Sequence, residues 1–130
     1  CAAGVACIDF YEKSNILDNV NAVGKVLGEN LEEMKEKHPY VGDVRYIGLF
    51  SAVELVKDKA TKEALVAYGK DPEGIMAGIV GKLKAKKFTT YSHENMVIVA
   101  PPLIITEEQL LEELVKLDEV LTEVDEFCAK

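Results

Sequence analysis

The sequence predicts an α+β domain in which a small, mostly antiparallel sheet has helices packed on one face. Two long segments place apolar residues at steps of three and four, the period of a helix with one buried face. Four shorter strand-like segments fall in neighbouring pairs, and local pairing favours antiparallel strands. With 130 residues the chain is long enough for one hydrophobic core and too short for two.

Residues 2–13 predict a short helix made mainly of small residues. Its opening, residues 1–8, is apolar or small on every side, and such a helix belongs inside a larger body. No Met precedes Cys1. We therefore expect a piece of a longer protein whose upstream partner covers this helix, and a processed or tagged start is the alternative.

The second helix follows directly, since the side chains of Ser14 and Asn15 can cap the amide groups of its first turn. It ends before Pro39, because the residue preceding a proline is driven out of the helical region. Its apolar stripe consists of Ile16, Val20, Val23, Leu27, Leu31 and Met34.

Residues 43–48 and 51–56 are rich in β-branched and aromatic side chains and lack a helical period, so they predict two strands. We expect Gly48 to mark a bend or bulge rather than a tight hairpin, and one unbroken strand is the alternative. The polar stretch 57–70 predicts a connection with little structure.

The tripeptide Asp71-Pro72-Glu73 predicts the start of a third helix, with Asp as the cap and Glu at the positive end of the dipole. Lysines crowd the last turn of this helix up to Lys87, where cations oppose the negative helix end. We expect a strand at 88–91, a turn at 92–95 and a strand at 96–100, which ends at two prolines.

The final helix begins with a capping box, in which the side chain of Thr106 caps and that of Gln109 reaches back. The predicted order of elements is therefore α-α-β-β-loop-α-β-β-α, without an internal repeat. Behind the box, one stripe at helical spacing consists of Leu110, Leu114, Leu117, Leu121 and Val124.

Charge and cysteine content exclude several classes of function. The 15 Lys and Arg residues against 23 Asp and Glu give a net charge of −8. Because the cations are interleaved with carboxylates, we expect neither nucleic acid nor an anionic membrane as a partner. No apolar run approaches the ~18 residues of a membrane-spanning helix. The three cysteines form no C-x-x-C pair, which favours reduced thiols in a cytoplasmic protein and argues against a metal site.

Few residues are candidates for chemistry, and no nucleotide-binding, metalloprotease or nucleophile-elbow motif is present. His38 lies at a helix end, where an imidazolium offsets the dipole. His93 lies in a predicted turn and can reach a ligand, although a solvated turn residue is the simpler interpretation. Arg45, the single arginine, suits carboxylate recognition, although a structural ion pair is the stronger interpretation. The residues alone therefore predict no catalytic residue and no cofactor site.

Four segments together resemble the class III (omega-type) aminotransferases. Residues 1–8 resemble the helix after that family's Gly-His-Pro stretch, and residues 38–49 resemble its "hP.vgdVRg.GL" segment, which residues 53–58 continue. Residues 99–108 are similar to the family's "aPPLiit.ee" segment before its last helix. The resemblance runs in order along essentially the whole chain.

This resemblance implies the C-terminal small domain of a fold type I pyridoxal-phosphate (PLP) enzyme. Residues 1–14 then form the end of a large-domain helix, and residues 15–130 form the small domain. The implied full-length protein is a homodimeric aminotransferase that uses PLP, a small-molecule amine and a keto acid. The Schiff-base lysine and most cofactor contacts of the family lie upstream, so the fragment alone is expected to bind no cofactor and to be inactive.

In this family the small domain provides a wall that faces the substrate. Several members place an Arg for the substrate carboxylate at positions that correspond to Ile98 and Tyr91, and both Arg residues are missing here. The hydroxyl and imidazole groups of Tyr91, Ser92 and His93 can donate hydrogen bonds to an anionic substrate instead. We expect these three residues to lie beside the strand at 96–100, with Arg45 on a neighbouring strand.

Residues 68–72 and 90–95 look most like the taurine–pyruvate aminotransferases within the family. Those enzymes move an amino group from a sulfonate-bearing donor to pyruvate. Two other functions stay open: a free-standing module that binds a small molecule, and an interaction protein whose amphipathic helices pack on partners. Neither alternative would involve catalysis.

Overall fold

The computed structural model describes residues 1–129. Within that range it contains four helices and five strands, all in the predicted α+β class. None of the described helices is long and apolar enough to cross a membrane. In chain order the elements are α1 (Ala2–Lys13), α2 (Ile16–Lys37), β1 (Val41–Ile47), β2 (Phe50–Asp58), β3 (Glu63–Ala64), α3 (Ile75–Ala85), β4 (Ser92–His93), β5 (Met96–Val99) and α4 (Glu107–Cys128).

The strands form one small antiparallel sheet. Their order is β1-β2-β5-β4, and β3 attaches to β2. Val44 of β1 lies opposite Val53 of β2, which lies opposite Val97 of β5. All three valines are buried, because this row of side chains points toward the helices.

The connection between β1 and β2 is a tight hairpin, so the expected bend or bulge is wrong. Ile47 pairs with Phe50, which leaves Gly48 and Leu49 as a two-residue turn. Gly48 has a φ of +54°, a left-handed conformation that glycine adopts without steric cost. Two-residue hairpins need such a residue because their twist must match that of the strands.

Three helices cover one face of the sheet, as predicted. α2 packs along β1, and α4 packs against both α2 and α3. All five predicted members of the α4 stripe are buried, and one hydrophobic cluster joins them to the stripe of α2 and to the sheet. We call the opposite face of the sheet, which bears Arg45, Glu54, Met96 and His93, the outer face.

The ends of α2 and α4 were predicted with different success. The capping box of α4 is present: Thr106 Oγ1 accepts from the Gln109 amide at 3.2 Å, and Gln109 Oε1 accepts from the Thr106 amide at 3.1 Å. Asn15 occupies the cap position of α2 but makes no side-chain capping bond, and its φ is +50°. This left-handed residue sets the angle between α1 and α2 rather than capping the helix.

The start of α3 lies at Ile75, four residues beyond the start of the predicted segment. Gly74 takes the cap position with a φ of +67°. The Asp71 carboxylate still accepts from the amide groups of Ile75 at 2.8 Å and Met76 at 3.0 Å. Asp71 therefore satisfies the first turn, as expected of a cap, but reaches it from the preceding loop.

The remaining boundaries also differ from the prediction. β2 extends to Asp58 and pairs with β3, so the stretch 57–70 is more ordered than expected. Residues 88–91 form no strand, and β4 contains only Ser92–His93. The turn between β4 and β5 is therefore the pair Glu94 and Asn95.

α1 is exposed along its whole length, and none of its residues is buried. Val5, Ile8 and Phe10 are 59%, 60% and 54% exposed. The exposure expected for this apolar opening is thus confirmed.

Candidate substrate-facing site

The outer face brings side chains from four strands into one row. Asp43 lies opposite Glu54, Glu54 opposite Met96, and Met96 opposite His93. Because side chains alternate between the two faces along a strand, Arg45 points to the same side as Asp43. The fold therefore places two of the predicted site residues, Arg45 and His93, on one surface.

Arg45 makes the ion pair that the sequence favoured. Its Nη2 donates to Glu54 Oε2 at 2.6 Å and lies 3.3 Å from Met96 Sδ. Its Nε lies 3.9 Å from Asp43 Oδ2. The side chain is 56% exposed.

The expectation that Arg45 lies on a strand next to β5 is wrong. Arg45 is on β1, and β2 separates β1 from β5. Only the length of the guanidinium side chain lets Arg45 reach across β2 to Met96.

Tyr91 and His93 lie together at the opposite edge of the sheet. His93 is exposed and belongs to β4, and the ring of Tyr91 is 60% exposed. The carbonyl oxygen of Tyr91 accepts from the Ile98 amide at 3.1 Å, which keeps this segment alongside β5. This bond continues the β4–β5 pairing by one residue, so Tyr91 lies beside Ile98 as His93 lies opposite Met96. Ile98 and Met96 are two residues apart on β5, which places Tyr91 and His93 on the outer face. We call Tyr91 and His93 the wall.

Ser92 does not share the surface of the wall. It pairs with the buried Val97, so its side chain faces the helix side of the sheet. There it lines a cleft together with Gly69, Lys70 and Glu94. The three predicted hydrogen-bond donors are therefore divided between two sides of β4.

The turn residues Glu94 and Asn95 directly follow His93, and the sequence did not mark them as site residues. Glu94 has a φ of +53°, and its Oε2 accepts from the Gly69 amide at 2.8 Å. Asn95 is 8% exposed, and its Nδ2 donates to the Leu55 carbonyl at 2.7 Å. An Asn in a polar turn is usually solvated, so no local pattern marked this one as buried.

His38 lies at the end of α2, as expected, but its role involves partners on another helix. The residue is 1% exposed. Its Nδ1 lies 2.6 Å from Asp125 Oδ2, and its Nε2 lies 2.9 Å from Asp118 Oδ1. Burial acts to raise the pKa of Asp118, but hydrogen bonds from Lys37 and His38 outweigh it and hold this pKa below its usual value. The cluster joins α2 to α4 on the helix side, away from the wall.

Comparison with known proteins decides the family of the chain. Residues 1–121 match the family model described as aminotransferase class III. The chain belongs to the class III aminotransferases. The resemblance noted in the sequence is thereby confirmed over most of its length.

Individual relatives in this family are considerably longer than the chain. The taurine–pyruvate aminotransferase of Bilophila wadsworthia is 35% identical over 128 residues, which are 96% of this chain and 28% of the relative. The adenosylmethionine-8-amino-7-oxononanoate aminotransferase of Methanocaldococcus jannaschii is 35% identical over 96% of this chain and 26% of its own length. Among solved structures, the taurine:2-oxoglutarate aminotransferase of Bifidobacterium kashiwanohense superimposes with a TM-score of 0.92 at 45% identity, over 97% of this chain and 28% of that enzyme.

The Bifidobacterium structure is a complex with PLP and glutamate. PLP enzymes hold the cofactor on a lysine, which is usually activated by removal from water. No described lysine is buried. The less exposed ones, Lys35, Lys86 and Lys116, are in ion pairs with carboxylates. Among residues 1–129, no group of three or more His, Cys, Asp or Glu side chains is placed to hold a metal ion.

Proposed function

We propose that this chain is the C-terminal small domain of a PLP-dependent aminotransferase. In this assignment residues 1–14 are the end of a large-domain helix, and residues 15–130 are the small domain. The family match over residues 1–121, in relatives of which the chain spans 28%, carries the proposal. The exposed apolar surface of α1 supports it, because exposed apolar surface of this kind is typical of a surface that has a partner.

The simplest test of this assignment is the reading frame upstream of Cys1, combined with the intact mass of the natural protein. We expect a large domain to precede this chain and the full-length protein to be a homodimer by light scattering. A natural protein that starts at or near Cys1 would refute the assignment and favour a free-standing binding module.

The isolated chain is expected neither to retain PLP nor to transaminate. The experiment is incubation with PLP, dialysis, absorbance spectroscopy and borohydride treatment followed by peptide mapping. We expect no absorbance band to survive dialysis, because no described lysine lies in a desolvated pocket. A stable band that maps to a lysine of this chain would overturn the domain assignment.

For the full-length enzyme we propose transfer of an amino group from a sulfonate-bearing or other omega-amino donor to pyruvate. The identity to the taurine–pyruvate aminotransferase supports this donor and acceptor. The higher identity to a taurine:2-oxoglutarate aminotransferase makes 2-oxoglutarate the second candidate acceptor. Assays of taurine with each keto acid, read as alanine or glutamate formed, separate the two. Absence of both products with taurine would exclude taurine, and absence of both products with other omega-amino compounds as well would refute the proposed donor class.

We also propose that this chain contributes to recognition of the anionic end of the substrate. Tyr91 and His93 provide a hydroxyl and an imidazole on one surface, and neutral donors of this kind bind oxyanions less strongly than an Arg would. Ser92 lies on the other side of β4, so its hydroxyl can contribute only to the cleft that it lines with Lys70. Arg45 completes the surface from β1 through its pair with Glu54.

The test of this recognition site is a set of single variants of the full-length enzyme. Tyr91→Phe and His93→Ala are each expected to raise KM for the anionic amine roughly 3- to 10-fold, the factor for one ordinary hydrogen bond. Cofactor absorbance should not change. Thr122→Val, which removes a hydroxyl from the exposed side of α4, is the matched control. If both wall variants keep the parental KM, the wall does not face the substrate.

A reducing, cytoplasmic location is part of the same proposal. Cys1, Cys7 and Cys128 are all free thiols, which supports a compartment in which disulfides do not form.

A further inference from the structure

Asn95 is a buried polar side chain directly next to the wall. It follows His93 by two residues and is 8% exposed. A buried amide is costly unless it is hydrogen-bonded, and the amide nitrogen of Asn95 has two acceptors. Its Nδ2 donates to the Leu55 carbonyl at 2.7 Å and to Glu54 Oε1 at 3.3 Å. Its own backbone carbonyl accepts from the Leu55 amide at 2.8 Å.

Glu54 extends this network across the sheet. One carboxylate oxygen, Oε1, receives the amide of Asn95, and the other, Oε2, receives Nη2 of Arg45 at 2.6 Å. The same Nη2 lies 3.3 Å from the sulfur of Met96, the residue that pairs with His93. We call the connected residues Asn95, Glu54 and Arg45 the polar bridge.

A short turn joins the polar bridge to the wall. The turn at Glu94 and Asn95 is only two residues long, so a displacement of Asn95 moves His93 with it. Glu94 holds a left-handed conformation with a φ of +53°, which a non-glycine residue keeps only when its surroundings enforce it. Two contacts fix this turn: Glu94 Oε2 accepts from the Gly69 amide at 2.8 Å, and the side chain of Asn95 is buried and bonded to the Leu55 carbonyl.

Within the bridge, the charge of Arg45 is already compensated. Glu54 is in direct contact with the guanidinium, and Asp43 lies 3.9 Å from Nε. A cation balanced by two carboxylates attracts a substrate anion weakly, because the anion must compete with charges that are already in place. The contribution of Arg45 to the site is therefore better explained by orientation of Glu54 than by direct binding of a substrate anion.

We infer that Asn95 is a positioning residue for the wall, and that Arg45 and Glu54 act on the wall through it. The inference rests on the proposed function only where the wall is said to meet substrate. The geometric part, that the bridge sets the position of His93, concerns this chain alone and is tested on it directly.

The first experiment follows the His93 ring in two-dimensional NMR spectra of this chain. Asn95→Asp replaces the donor amide by a carboxylate that faces the Leu55 carbonyl and Glu54, while Glu54→Gln keeps the shape of the partly exposed side chain and removes its charge from Arg45. Both variants are expected to shift the ring signals of His93. Asn30→Asp is the matched control, since that amide donates only to the Val26 carbonyl within α2. If the His93 signals coincide with those of the parent in both bridge variants, the inference is overturned. If Asn95→Asp does not fold, unchanged His93 signals in Glu54→Gln alone overturn it.

The second experiment measures kinetics of the full-length enzyme. Asn95→Asp and Glu54→Gln should raise KM for the anionic amine roughly 3- to 10-fold, as one misplaced hydrogen bond would, with kcat and cofactor absorbance unchanged. If His93→Ala raises KM but both bridge variants leave it unchanged, the proposed recognition site is supported and the inference about Asn95 is refuted. If His93→Ala and Tyr91→Phe have no effect, the proposed recognition site fails, and the NMR result decides the inference by itself.

Discussion

Gly24 is the position at which a single added methyl group should perturb this fold most clearly. It is buried in α2, and an added Cβ would lie 2.7 Å from both the backbone carbon and the backbone oxygen of Gly48. Those atoms belong to the tight turn between β1 and β2, where Gly48 has a φ of +54°. The turn backbone has little freedom to move away, unlike the end of a flexible side chain.

The expected effect of Gly24→Ala combines two opposed terms. Alanine is preferred over glycine in a helix interior by about 1 kcal/mol, which stabilises the variant. Overpacking in a well-filled site costs about 1–3 kcal/mol, and contact with backbone places Gly24 near the upper end. The free energy of unfolding should therefore fall by about 1–2 kcal/mol, and Tm by about 3–10 °C for a chain of this length.

The assay is urea and thermal unfolding of this chain, followed by circular dichroism, with Gly81→Ala as the control. Gly81 lies inside α3, and a Cβ there would meet nothing within 4 Å, so only the helix preference remains and the control should gain up to about 1 kcal/mol. Gly28→Ala should fall between the two, because its Cβ would meet the ring of Tyr46, which is 46% exposed and can turn away. Equal unfolding midpoints for Gly24→Ala and Gly81→Ala would refute the close packing of α2 on the hairpin.

Two further predictions concern α4. Thr106→Ala removes the capping box and should lower the free energy of unfolding by about 1 kcal/mol. Thr122→Ala, on the exposed side of the same helix, is the control and should change this free energy little. Equal losses for the two variants in urea titrations would contradict the prediction. The pKa of Asp118 lies below its usual value because hydrogen bonds from Lys37 and His38 outweigh burial, so this carboxyl stabilises the fold above about pH 4. The contribution is lost as pH falls through the lowered pKa. Asp118→Asn should be less stable than the parent at neutral pH, and its free energy of unfolding should fall less between neutral and acid pH. Parallel plots of the free energy of unfolding against pH for the two proteins would contradict the assignment.

The elements that the sequence predicted well depend on neighbouring residues. The stripe of α4 and its capping box use side chains three or four positions apart, so their geometry is set by the helix itself. The same holds for the exposed opening of α1, since residues 1–8 lack the polar face that a surface helix usually has. These signals remain visible in one dimension because the interacting groups are close along the chain.

Boundaries and turns were predicted less well, and the physical reason is competition between alternatives of similar energy. The hairpin at Gly48 and the late start of α3 each depend on which of several glycines takes a left-handed conformation. Gly48 and Gly74 both do so, whereas Gly42, in β1, does not. Composition shows where a turn can form, but packing of α2 on the hairpin selects which one forms.

For the candidate site, the sequence identified Tyr91, His93 and Arg45 as residues of interest but not their relation. Alternation along β4 places Ser92 on the other side of the sheet, and the strand order puts β2 between Arg45 and the wall. Strand order is a property of the whole sheet, since β5 reaches β2 only after the chain has passed through α3. It therefore has no local signature.

The sequence by itself determined the fold class, the family and the apolar stripes that form the core. Only the tertiary structure decided the partners of its buried polar groups: His38 meets Asp125 across 87 positions of the chain, and Asn95 meets Glu54 across 41. Periodicity arises from forces between near neighbours and can be read along the chain. A buried hydrogen bond between distant residues exists only once packing has removed water from both, so the sequence holds the two partners without showing that they meet.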